Sequence, residues 1–167
     1  MSPLAPDGAV NCLVIVRQKL GGVTGKALEA FAAAAKRAAG LRSEVSILVT
    51  TSEEVRQLNR DFRRKDKPTD VLSFPSDGDG LAGDIAISAD IAKDNARTLR
   101  HSALTEVKVL ILHGMLHLAG HDHESDSGEM AVLESRLRAK FGLPHGLIER
   151  TNSPQSKPIR RTAGSAR

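Results

Sequence analysis

His113-Gly114-Met115-Leu116-His117-Leu118-Ala119-Gly120-His121-Asp122-His123 decides both how this chain is arranged and what it can hold. Two histidines stand one helical turn apart, a glycine follows, and a third histidine comes three residues after it. The segment leading in, 104–119, is apolar nearly all round: Val107, Val109, Leu110, Ile111, Leu112, Met115, Leu116 and Leu118. A helix of that kind belongs in the middle of a core. Burying two imidazoles there is costly unless each nitrogen finds a partner. Backbone carbonyls would do for a lone histidine. A pair at i and i+4, with further histidines just past a glycine, favours a metal. For the third ligand, His121 would line up if the helix continued. Gly120 favours the left-handed turn that ends a helix, so the chain doubles back and His123 is preferred on the helix stop alone. Asp122 either orients a ligand or is simply solvated. Three neutral imidazoles leave a fourth coordination position open, as in catalytic rather than structural zinc sites, although nickel, copper or iron also accept such ligands.

The spacing H-x-x-x-H-x-x-G-x-x-H is that of metzincin proteases. Those enzymes carry Glu directly after the first histidine as general base. Gly114 stands there instead, so peptide hydrolysis by that route has lost its base. A phosphodiester fits better, because zinc polarises a phosphoryl oxygen and arginine's fork suits the developing charge. The segment 60–67 (Arg60-Asp61-Phe62-Arg63-Arg64-Lys65-Asp66-Lys67) offers the cation. It reads either as a local phosphate contact or as a solvated surface run.

The net charge of +4 has to be located before it means anything. Lys157, Arg160, Arg161 and Arg167 account for all of it, which leaves 1–150 neutral. The expectation is one catalytic domain over 1–150 and a disordered basic tail over 151–167, which is rich in Ser, Pro and Arg. Four Phe with no Trp or Tyr make an aliphatic core and leave few platforms for stacking bases. Cys12 lies in an apolar run and reads as a small buried hydrophobe. No basic-then-apolar leader and no membrane-length apolar run is visible, so a cytoplasmic, membrane-free setting is expected.

The elements follow from patterning. Residues 12–16 read as a short buried strand. Thr24 caps a helix through 27–39 that stops at Gly40, with Leu28, Phe31, Ala32 and Ala35 on one face. Alternation at Val45, Ile47 and Val49 suits a strand. Thr51 and Glu54 suggest a capping box, with Val55, Leu58 and Phe62 continuing on one helical face. Strands are expected at 71–74 and 84–87, either side of a Gly/Asp turn at 77–80. Ser88 caps a helix toward Leu99. Asp126 with Glu129 opens a last helix, with Met130, Leu133, Leu137 and Phe141 inward, and Gly142 and Pro144 end it. The fold class is α+β: a small mixed sheet of about four strands with surrounding helices, and a central buried helix carrying a metzincin-like site.

Two segments carry a family resemblance. One is Leu58-Asn59-Arg60-Asp61-Phe62-Arg63-Arg64-Lys65-Asp66-Lys67-Pro68-Thr69-Asp70-Val71-Leu72-Ser73-Phe74-Pro75, and the other is His113 to His123. With Gly83-Asp84-Ile85-Ala86-Ile87-Ser88 between them, they resemble the YbeY family of bacterial endoribonucleases, zinc-dependent rRNA maturation factors. The likeness covers roughly 10–145. It implies one Zn2+ on His113, His117 and His123. It also implies an essential arginine ahead of x-x-Asp-x-Pro-Thr, which is Arg63 rather than Arg60 or Arg64. The implied activity is metal-dependent hydrolysis of single-stranded RNA, in 3′-end maturation of small-subunit rRNA and ribosome quality control. The implied partners are rRNA, the small ribosomal subunit with its proteins, and an Era-type GTPase. His121 stands where the family often has an aromatic residue, which leaves the ligand set intact. Two other readings stand beside this one: a non-catalytic ribosome-assembly factor with a structural zinc, and a metallopeptidase whose base comes from elsewhere.

Overall fold

The computed structural model describes residues 12–77 and 80–144; the tail expected over 151–167 and part of the turn at 77–80 lie outside them. Strand β1 (Cys12–Val16) leads into helix α1 (Gly25–Ala38), whose N-cap Thr24 accepts a hydrogen bond from the Ala27 N–H. Strand β2 (Glu44–Thr50) returns parallel to β1, with α1 as the crossover that parallel pairing needs. Helix α2 (Ser52–Arg63) is capped by Thr51, which accepts from the Glu54 N–H. The expected capping box is only half made. The Glu54 carboxylate turns away to Thr50 Oγ1 and Arg17, because β2 and the loop after β1 bring stronger donors within reach.

Strands β3 (Val71–Pro75) and β4 (Leu81–Ser88) form an antiparallel pair, and β4 lies parallel to β2. The sheet order is β1-β2-β4-β3, so β3 is an edge strand. Helix α3 (Ala89–Leu99) follows directly, its N–H at Ile91 received by Ser88 Oγ. Helix α4 (Ala103–Leu118) is the central one, with eleven buried residues including His113. Helix α5 (Glu129–Phe141) closes the described chain. Asp126 reaches over its start and accepts from the Gly128 and Met130 N–H groups.

One face of the sheet packs Val45, Ile47, Val49, Ile85 and Ile87 against α1 and α4 in the main core. The other packs Leu72 and Ala86 under Val55 of α2, with Leu58 and Phe74 alongside. One sequence expectation needs correction here. β1 is not a buried strand: it is the far edge, α2 covers only the β3–β4 side, and Leu13 and Ile15 are 51% and 42% exposed. Phe62 continues the face of Val55 and Leu58 onto Phe74 of β3, but it is left 70% exposed. Cys12 is half-buried against the core, and that burial pushes its thiol pKa up.

Candidate metal centre and cleft

Helix α4 ends in a Schellman motif. Gly120 adopts φ +94°, its N–H bonds the His117 carbonyl, and the His121 N–H bonds the Leu116 carbonyl, both at 3.0 Å. The turn carries His121 past the helix end and folds His123 back. His113, His117 and His123 then each present a ring nitrogen, all within 4.8 Å of one another. His121 lines the same cleft but is not in that group. His113 Nε2 and His117 Nε2 are 3.1 Å apart. Two nitrogens on a tetrahedral zinc, each bonded at about 2.0–2.1 Å, would be roughly 3.3 Å apart, so the pair is already spaced for one ion. His123 Nδ1 is buried with no hydrogen-bond partner among the described residues. A buried ring nitrogen is costly unless something takes its lone pair or its proton. The donor set therefore fits a His-preferring transition metal.

The electrostatics agree with that fit. Burial, followed by the neighbouring His113 and His123, pushes the His117 pKa down to about 4, so its ring is neutral and its lone pair free near neutrality. His113 Nδ1 lies 3.0 Å from Glu134 Oε1, on a carboxylate that is itself buried. With the carboxylate oxygen as acceptor, Nδ1 is the donor in this contact and Nε2 is left to face the cluster. Asp122 was the sequence candidate for this orienting task and does not perform it. Its oxygens accept from the Glu124 N–H and from Ser125 Oγ, which build the loop and hold its carboxyl pKa low.

The imidazoles open into a cleft of about 1220 Å³ shared with the end of α2, the loop after it and the edge of β3. Arg63 lines it opposite the histidines, and its charge is among those that lower the His117 pKa. Its guanidinium donates from Nη2 to the Ser73 carbonyl and lies 5.8 Å over the Phe74 ring. Ser73 Oγ donates in turn to the Gly114 carbonyl at 3.2 Å, which ties β3 to α4. The loop that follows is fixed by Asn59 Nδ2 on the Lys67 carbonyl at 3.0 Å and by Arg56 on Asp66 at 2.7 Å. Arg63, Arg64, Lys65 and Lys67 make no ion pair among the described residues.

Gly114 has a structural reason to be glycine. A Cβ there would lie 3.0 Å from Ile85 Cδ1 and Cγ2 and 3.1 Å from Ser73 Oγ. The helix sits so close on the sheet that any side chain at this position would crowd Ile85 and Ser73. Another carboxylate does reach the cleft. Asp70, just before β3, lines it, and burial raises its pKa against the opposing pull of His113. Asn95 Nδ2 lies 3.5 Å from Asp70 and 3.3 Å from Glu106.

Residue-by-residue reading singled out neither Glu134 nor Asp70. Glu134 left a signal: it falls on the stripe Met130, Leu137, Phe141, where an acid is out of place unless paired. Asp70 left none of that kind, because it precedes its strand rather than interrupting an apolar face.

A family model described as "Endoribonuclease YbeY" matches residues 13–142. An Endoribonuclease YbeY of Koribacter versatilis is 58% identical over 149 residues, covering 89% of this chain and 98% of that protein. One from Solibacter usitatus is 54% identical, covering 76% and 86%. Among solved structures, the solution structure of TM1509 from Thermotoga maritima superposes with a TM-score of 0.55 at 27% identity, covering 90% of this chain and 99% of that one. Matches of that extent, running from β1 to the end of α5, make this chain a member of the YbeY endoribonuclease family.

Proposed function

We propose that this chain is a metal-dependent endoribonuclease that cleaves single-stranded RNA, acting in the 3′-end maturation of small-subunit rRNA. The observation that carries the reading is the convergence of His113, His117 and His123 in one cleft with Arg63, which makes no ion pair among the described residues. A zinc ion on those three rings supplies Lewis-acid polarisation of a phosphoryl group. Glu134 holds His113 in the tautomer that can ligate. Arg63 is braced by Ser73 and Phe74, so its fork is pre-set for phosphate oxygens and for the charge that builds in the transition state. The rRNA, the small ribosomal subunit with its proteins and an Era-type GTPase are its proposed partners, and the cytoplasm its proposed setting. Among the described residues no helix is long and apolar enough to cross a membrane.

The test is cleavage of single-stranded RNA by purified protein, with and without chelator, and by Arg63→Ala. Chelation should abolish cleavage, and Arg63→Ala should slow it by about a hundredfold or more, the scale of losing one pre-organised charge-stabilising donor. Equal cleavage with and without chelator overturns the metal chemistry.

A second reading, an assembly factor with a structural zinc, draws on Gly114, since the protease base is missing and a side chain there would crowd Ile85 and Ser73. It predicts normal rRNA ends in cells carrying His113→Ala, provided the variant folds and binds ribosomal particles. A peptidase reading is disfavoured by the same glycine. It is also disfavoured by Arg63, which occupies the edge carbonyl of Ser73 on which an extended peptide would pair.

A further inference from the structure

We infer that Phe62, next in the chain to the cleft-lining Arg63, is a stacking platform for one unpaired base of the RNA; the inference rests on the nuclease reading above. Phe62 is 70% exposed, more than any other large hydrophobic side chain among the described residues, where Val132 follows at 60%. A phenyl ring left in water forgoes most of the stabilisation that burial would return. Its position is fixed nonetheless. The ring packs edge-to-face on Phe74, with centroids 5.5 Å apart and planes at 63°. Phe74 also carries the Arg63 guanidinium at 5.8 Å. The two rings and the cation therefore form one braced unit, with the outer side of Phe62 open to solvent.

The surroundings identify the ligand class. Arg63 follows Phe62 in the chain and lines the cleft, and Pro75, next to Phe74, lines it too. The exposed Arg64, Lys65 and Lys67 make no ion pair among the described residues. They sit on a loop that Asn59 and Arg56 hold in place. An exposed aromatic face on a segment whose Arg63, Arg64, Lys65 and Lys67 make no ion pair among the described residues suits a ligand that is both polyanionic and flat-faced. Single-stranded nucleic acid has both properties, whereas a duplex hides its base faces in the stack. Of the four Phe, only Phe62 is among the exposed large hydrophobics, and it is next in the chain to the cleft-lining Arg63.

The test compares metal-loaded wild type with Phe62→Ala, Phe62→Leu and Phe62→Tyr, using a short single-stranded RNA that carries 2-aminopurine near its scissile bond. KM should rise about tenfold in the Ala and Leu variants, while kcat moves much less and Tyr stays near wild type. Mixing should change 2-aminopurine fluorescence with wild type and Tyr but not with Ala or Leu. A Leu variant that behaves like wild type assigns a generic apolar contact, such as a protein partner would use, and overturns the stacking. An unchanged KM in Phe62→Ala overturns it as well, while RNA cleavage that still depends on Arg63 leaves the nuclease reading standing. A wild-type protein that does not cleave RNA overturns both.

Discussion

Glu134 acts on the site without facing the cleft. It accepts from His113 Nδ1 and so decides which nitrogen of that ring can ligate. Glu134→Gln keeps the shape but lets the amide donate, which turns the ring proton toward Nε2. Metal affinity should fall about ten- to a hundredfold, read by competition with a chromogenic chelator. His117 gives a second prediction. Its pKa is about 4 in the fold and returns toward 6.5 on unfolding. Between those values the unfolded chain binds the proton and the folded chain does not. Metal-free protein should therefore lose stability as pH falls from about 6.5 to about 4, with no further loss from this group below that. Denaturant unfolding of wild type and His117→Asn across that window checks it; the Asn variant should show the shallower slope. At this scale the convergence of the three histidines was legible and the support for it was not. Histidine spacing and Gly120 are local signals, whereas Glu134 speaks only once α5 is laid against α4.

Helix α4 read correctly from sequence because its apolar residues run all round it, a pattern that leaves no solvent face to place. What the pattern did not show is how near the sheet it lies. The Ile85 side chain at 3.0 Å from a Cβ built on Gly114 is itself buried, so it has nowhere to retreat. Restoring the protease glutamate by Gly114→Glu should therefore not create a peptidase. It should destabilise the fold by about 3 kcal/mol or more, from overpacking and an unpaired buried carboxylate together, measured by urea unfolding. A folded Gly114→Glu protein that cleaves peptides would refute that account. The misread element was β1. Its apolar run looked buried because local sequence does not state where a strand sits in the sheet. Order β1-β2-β4-β3 places it at an edge, with only one face covered.

The working cleft is a product of the whole topology. The turn after α2, the edge of β3 and the end of α4 meet there, although Arg63 and His113 are far apart in the chain. Element order and type were legible, since caps, glycines and periodicity are local. The parallel pairing of β4 with β2, across the intervening α2 and β3, was not, because such partners are chosen by long-range burial. A metal would couple these parts, joining α4 to the 119–128 loop directly and to α5 through Glu134. Anything that binds only the folded state stabilises it by mass action, by about 4 kcal/mol at a thousandfold excess over Kd. Zinc should thus raise the Tm of the chelator-treated protein by several degrees. His123→Ala separates the ligand from the fold. His123 lies in a loop outside the core, so the metal-free Tm of the variant should match that of wild type, while most of its zinc-induced shift disappears. Thermal scans of both proteins, with zinc and with chelator, decide the matter. A wild-type Tm indifferent to zinc would mean that the three rings meet for some other reason.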